Sequence, residues 1–123
     1  MIVLADADLE RAANAAVWGA MFNSGQTCTS VERVYVEEPV YDQFVERIAE
    51  GVRRLRQRAP GKGYHTDVGA LSSEAQLAIV ECHVSEALAQ GARAVVGGKR
   101  ADLPGAFFEP TVLVNVGEFG TAA

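Results

Sequence analysis

Cysteine is scarce in this chain: Cys28 and Cys82 are the two it has in 123 residues. Two thiols do not make a disulfide framework, and the first residues carry no signal-peptide pattern, so the sequence reads as cytoplasmic with reduced thiols. Long apolar runs are missing as well. The most apolar stretch, AANAAVWGAMF (residues 12–22), is too short to span a bilayer and carries Asn14, so no membrane partner is expected. Positive charge is in the minority. Eleven Lys and Arg against sixteen Asp and Glu leave a net charge of −5, which opposes a surface for coating nucleic acid. The basic cluster RRLRQR (residues 53–58) reads as the solvated end of a helix, where cations complement the macrodipole. Zinc-ligand spacing is lacking, and the neighbours Cys82 and His83 would point about 100° apart on a helix, so no metal site is expected. GKG (residues 61–63) has neither the upstream glycine nor the following Ser or Thr of a phosphate loop. Gly97 and Gly98 open no helix and read as a turn.

What is present is a globular balance, with 49% apolar and 22% charged residues, enough for one domain with its own core. MIVL (residues 1–4) predicts a short buried strand. Asp6 is expected to cap a helix with Asp8 in its first turn. Leu9, Ala12, Ala13, Ala16, Val17 and Ala20 recur at helical spacing as its inner face, and the helix is expected to end near Phe22. VERVYV (residues 31–36) predicts a strand. Pro39 suits the first turn of a second helix, whose stripe is Phe44, Val45, Ile48, Val52 and Leu55. A loop follows to about Gly69. A third helix is predicted over residues 73–90, with Leu77, Val80, Val84, Ala87 and Leu88 inward and Gly91 as its left-handed end. RAVVGG (residues 93–98) and TVLVNV (residues 111–116) complete the strands, the latter with Val112, Val114 and Val116 on one side. Strands separated by helices predict an α/β layered fold with a mainly parallel sheet. The first helix carries Val17, Trp18, Met21 and Phe22 around its circumference. It demands more cover than these elements supply, so the chain reads as part of something larger and as a homo-oligomer.

The stretch FNSGQTCTSVERVYV (residues 22–36) concentrates the candidate chemistry. A cysteine on a tight loop behind a helix is presented rather than buried, and the thiolate is the reactive form. Gly25 lets backbone approach a substrate closely. Backbone N–H groups near such a turn can face a developing oxyanion. From spacing alone Cys28 fits two descriptions: a nucleophile, or a small apolar residue at a helix end. Cys82 reads as a helix-packing thiol, His83 as a solvated or half-buried side chain, and His65 as a loop residue without a role.

IVLADADLERAANAAVWGAMFNSGQTCTSVERVYV (residues 2–36) resembles the segment around the catalytic cysteine of the aldehyde dehydrogenase superfamily. Asp6, Asp8, Asn23, Gly25, Gln26, Cys28 and Arg33 fit that pattern, with minor departures at Met21 and Ser30. VYDQFVERI (residues 40–48) resembles the family's following helix. DVGALSS (residues 67–73) resembles its Gly-Pro-Leu turn, with Ala70 in place of the usual proline. ALAQGARAVVGGK (residues 87–99) and GAFFEPTVLVNV (residues 105–116) are similar to the next blocks. The resemblance implies an incomplete catalytic domain over residues 1–116. GEFGTAA (residues 117–123) departs from the pattern as a divergent or expression-derived tail.

The resemblance also implies a reaction. A thiolate at Cys28 attacks an aldehyde, and the thiohemiacetal is oxidised by NAD or NADP to a thioester that is hydrolysed to the acid. The cofactor-binding domain, the general-base glutamate and the oxyanion asparagine belong to family segments upstream of these residues. The isolated chain is therefore expected to hold no cofactor and to be inactive, while Asn23 and Gln26 shape the cysteine loop. Two other readings remain: a non-catalytic structural or interaction module, and a reactive cysteine that forms thioesters without a redox step.

Overall fold

The computed structural model describes residues 1–59, 61, 63 and 65–117. The tail expected over residues 117–123 lies, beyond Gly117, outside the described residues, as does Lys62 of GKG. Two strands alternate with two helices in the first half: β1 (Ile2–Val3), α1 (Leu9–Met21), β2 (Tyr35–Val36) and α2 (Tyr41–Arg53). The second half holds α3 (Glu74–Ala89), β3 (Arg93–Val96) and β4 (Val112–Val114). β1 and β2 pair in parallel, Ile2 opposite Tyr35 and Val3 opposite Val36. β3 and β4 pair antiparallel, with a bulge between Ala94 and Val96. The architecture is α/β, as the alternation of patterns predicts.

Several boundaries differ from the sequence reading. α1 is capped by Asp8, whose carboxylate accepts from the Arg11 N–H at 3.0 Å. Asp6 cannot cap it, because the Ala7 N–H donates to the Leu4 carbonyl and closes a turn around Asp6. MIVL is not a buried strand throughout. Val3 is buried, whereas Ile2 and Leu4 on the opposite face are 73% and 52% exposed. VERVYV yields the two-residue β2, because its partner β1 is itself two residues long. Pro39 sits in a 3₁₀ turn (Glu38–Val40) leading into α2, and Leu55 lies beyond the helix end. Val116 leaves the side shared by Val112 and Val114, since Asn115 takes a left-handed conformation that ends β4.

α3 begins and ends where the periodicity and caps predict. Ser73 accepts from the Gln76 N–H at 3.1 Å, and Gly91 follows the helix at φ 100°. Leu77 is fully buried, with Val80 and Val84 beside it; Leu88 is exposed.

The core divides into two clusters. Val3, Ala13, Ala16 and Phe44 join β1, α1 and α2, with Ile48, Val34 and Val36 around them. Small residues let the two helices approach: a Cβ on Gly51 would stand 3.0 Å from Val17 Cγ2. Val17 is consequently half-buried, and the exposed apolar stripe of α1 narrows to Trp18 and Phe22, whose ring centroids lie 5.3 Å apart. Leu77, Ala106 and Phe108 form the second cluster beneath α3. Gly97 (φ 66°) turns the chain out of β3 against its own strand partner. A Cβ there would collide with the Pro110 carbonyl oxygen and stand 2.7 Å from Thr111 Oγ1.

The basic run 53–58 is more than a solvated helix end. Arg56 forms a two-pronged ion pair with Asp67, both hydrogen bonds at 2.8 Å, which closes the excursion between residues 56 and 67.

Candidate active site

The cysteine loop starts where α1 stops. Phe22 caps the helix with its N–H on the Trp18 carbonyl, and a 3₁₀ turn (Phe22–Gly25) follows. Asn23, Ser24 and Gly25 are left-handed in succession, at φ 51°, 59° and 74°. L-residues adopt this region at a cost of about 1–2 kcal/mol each, so the surroundings must enforce it. The Gln26 N–H donates to the Asn23 carbonyl, and Asn23 Nδ2 donates to the Gln26 carbonyl, both at 3.2 Å. Gly25 is required by this turn, where its φ is 74° and a Cβ would lie 3.2 Å from the Ala20 carbonyl oxygen.

Cys28 follows in a tight turn closed by the Ser30 N–H on the Thr27 carbonyl at 3.1 Å. Its thiol is exposed and free. Among the described residues its N–H has no hydrogen-bond partner. The loop's exit is fastened back to α1: the Val31 N–H donates to the Gly19 carbonyl at 3.1 Å, and Ser30 Oγ lies 3.4 Å from the carbonyl oxygens of Gly19 and Ala20.

Residues 69–72 hold the loop from the other side. Gln26 Oε1 accepts from the Ser72 N–H at 2.8 Å, and Gln26 Nε2 points to the Ala70 carbonyl at 3.5 Å. Ser24 Oγ accepts from the Gly69 N–H at 3.1 Å and donates to the Gly69 carbonyl at 3.3 Å. Asn23 and Gln26 thus shape the loop, as the motif implies. The role of Ser24 and its partner Gly69 was not visible in the sequence, because the two lie 45 positions apart. A cleft of about 290 Å³ opens between Ser24, Ser30, Gly69, Val84, Phe108 and Thr111.

Cys82 departs from its expected packing role. It is exposed on α3, and its thiol reaches Glu86 Oε1 one turn on, at 3.5 Å. That acceptor and its charge push the Cys82 thiol pKa up. The side chain lies off the Leu77–Val80–Val84 face because, at about 100° per residue, position 82 falls on the opposite side of the helix. His65 and His83 are exposed, and among the described residues no three His, Cys, Asp or Glu side chains converge as a metal site.

A nicotinamide dinucleotide does not fit the described residues. The entries to α1 and α2 are acidic and lack glycine: Asp6 and Asp8 precede one, Glu37 and Glu38 the other. The Ala5 N–H at the first is already taken by the Glu37 carboxylate at 2.6 Å. A pyrophosphate needs the reverse, open N–H groups on a glycine-rich turn. Gly97 and Gly98 lie against their own strand and offer no cradle.

Comparison with known proteins supplies the context for the loop. The aldehyde dehydrogenase family model matches residues 1–122. A putative succinate-semialdehyde dehydrogenase [NADP(+)] 2 of Mycobacterium tuberculosis H37Rv is 42% identical over 117 residues, covering 94% of this chain and 22% of the relative. The succinate-semialdehyde dehydrogenase [NADP(+)] of Escherichia coli K12 is 42% identical over 115 residues, covering 94% of this chain and 24% of its own length. The crystal structure of lactaldehyde dehydrogenase from Escherichia coli superposes with a TM-score of 0.90 at 40% identity, over 94% of this chain and 24% of that one. The chain spans about a quarter of the length of these relatives. By the family match across nearly its entire length, together with this agreement in sequence and backbone, the chain belongs to the aldehyde dehydrogenase family.

Proposed function

We propose that Cys28 is the nucleophile of an NAD(P)-dependent aldehyde oxidation and that these residues form the cysteine segment of the enzyme. The observation that carries the reading is the exposed thiol of Cys28 on a turn tied down on both sides. The deprotonated Sγ adds to the carbonyl carbon, and the carbonyl π pair moves to oxygen. The free Cys28 N–H is available to donate to that oxygen, which stabilises the adduct. That oxygen takes a proton from solvent, and the product is a thiohemiacetal. Its oxidation and hydrolysis to a carboxylic acid require a hydride acceptor and a base. The Mycobacterium and Escherichia relatives are named for NADP(+), and the described residues provide no site for it. The chain alone therefore captures an aldehyde reversibly and does not turn it over. A working thiol at Cys28 suits a reducing, cytoplasmic compartment.

Competition between alkylation and aldehyde capture tests this. Iodoacetamide is expected to label Cys28 before Cys82, and acetaldehyde to slow labelling of Cys28 alone, read by mass spectrometry of partial digests. With NADP added, absorbance at the reduced-nicotinamide band should stay flat. Labelling of Cys82 first, or equal slowing of both thiols, would overturn the assignment.

A second reading, an interaction module, rests on the exposed apolar residues. Ile2 and Tyr35 face each other across β1 and β2 beside Leu4, and Trp18 and Phe22 stand out from α1. The occupant we propose for these exposed apolar residues is a second copy of the chain, which makes the protein a homo-oligomer.

A further inference from the structure

We propose that Ser24 is a positioning residue that holds Cys28 ready for carbonyl addition. The inference rests on the reading of Cys28 as the nucleophile. Ser24 occupies the middle of three consecutive left-handed residues. Such a segment relaxes unless something outside it fixes the geometry. The hydrogen bonds between Asn23 and Gln26 are internal to the turn and define its shape, not its placement. Placement comes from two outside anchors: Gln26, whose Oε1 accepts from the Ser72 N–H, and the reciprocal contact of Ser24 Oγ with the N–H and C=O of Gly69, which acts at the strained residues themselves. One hydroxyl accepts and donates to the same peptide residue, so it acts as a peg with little rotational freedom. Gly69 is a firm anchor. Val68 before it is buried and bridged to Gln57, and the Leu71 N–H beyond it bonds the Ala106 carbonyl at 2.8 Å. The cysteine loop is thereby referenced to the second core cluster, while the Ser30 and Val31 contacts reference it to α1.

Carbonyl addition needs the thiolate and the Cys28 N–H fixed relative to each other, because one attacks while the other receives the developing charge. Alkylation by iodoacetamide needs the thiolate alone. Removing the peg is therefore expected to impair aldehyde capture while leaving alkylation in the absence of aldehyde almost unchanged.

The test uses the 123-residue chain as it exists, with Cys82 labelling and near-ultraviolet circular dichroism as controls for folding. The readout is the acetaldehyde concentration that halves the iodoacetamide rate at Cys28. Ser24→Ala and Ser24→Gly are expected to raise it roughly tenfold, the equivalent of one or two neutral hydrogen bonds. Glycine separates the two contributions, since it removes the strain along with the hydroxyl. Ser24→Asn, which tolerates the left-handed region and carries both a donor and an acceptor, is expected to restore most of the effect. Protection of Cys28 that is unchanged in Ser24→Ala overturns the inference and leaves the nucleophile reading standing. Capture in Ser24→Gly equal to that of the parent chain overturns it too. No protection of Cys28 in the parent chain overturns the nucleophile reading and this inference with it.

Discussion

Two exposed thiols differ in what stands beside them. Cys28 projects from a turn, whereas the Cys82 thiol is bonded to a carboxylate one helical turn away. Glu86 favours the protonated thiol of Cys82 by accepting a hydrogen bond from it and by its charge, so less thiolate is present near neutral pH. The slower labelling expected of Cys82 thus has an electrostatic cause and not the burial that its mid-helix position suggests. Replacing Glu86 with alanine removes both effects. Glu86→Ala is expected to speed alkylation of Cys82 roughly two- to fivefold at pH 8 and to leave Cys28 unchanged, an estimate scaled to an exposed charge pair. Peptide-resolved alkylation time courses measure it. A Cys82 rate indifferent to Glu86 would remove the electrostatic explanation.

The elements are fastened by ion pairs on their loops. Arg56 and Asp67 close one excursion, and Arg100 grips Glu81 of α3 through both carboxylate oxygens, with Glu74 3.5 Å away. The Arg56 side chain, its backbone N–H and its charge hold the Asp67 carboxyl far below the usual carboxylate range, and Arg100 lowers Glu81 in the same way. A carboxyl whose pKa is depressed by folding favours the fold when ionised. This contribution is full above about pH 5, where unfolded carboxylates are also ionised, and is lost as pH falls toward the folded value. Both pairs are solvent-exposed, so the effect is modest and is screened by salt. Urea midpoints measured from pH 7 down to about pH 2.5 are expected to fall on the acid side. Asp67→Asn should have a shallower acid slope and a lower midpoint at pH 7. An acid slope identical in Asp67→Asn would show that the loop closure carries no linkage.

On the scale of the molecule, cover is the limiting resource. The two clusters are small, and among the described residues each strand pair has two members. A parallel pair ordinarily has both faces covered. Here one face packs Val3 on α1 and α2, and the other shows Ile2, Leu4 and Tyr35 to solvent. Trp18 is 69% exposed on α1, whose buried residues are Ala13 and Ala16. A patch of a few hundred Å² is about where monomers begin to associate. At about 25 cal/mol per Å², covering it offers on the order of 10 kcal/mol before association entropy is subtracted. Sedimentation equilibrium at several concentrations is expected to show a dimer or larger species, with Trp18→Ser shifting the distribution toward monomer. A parent chain that stays monomeric at high concentration would sink the proposed second copy.

What the sequence determined by itself was local. α3 could be read from its Ser73 cap, its Leu77–Val80–Val84 stripe and Gly91, because a helix closes its hydrogen bonds within four residues. The presentation of Cys28 on a loop was legible for the same reason: the turn-forming residues 23–25 stop α1 just before it. The family followed from blocks of ordered motif along residues 2–116. Tertiary structure decided what depends on partners far away. β1 and β2 are two residues long because each is the other's neighbour across more than thirty positions. Cys82 is exposed because, among the described residues, nothing packs on the side of α3 away from the Leu77–Val80–Val84 stripe, and which elements cover a helix is settled only when distant segments meet. The Ser24–Gly69 and Arg56–Asp67 contacts join side chains that no local pattern links. Hydrogen-bond periodicity is written into neighbouring residues, whereas burial and cross-chain anchoring exist only once distant segments meet.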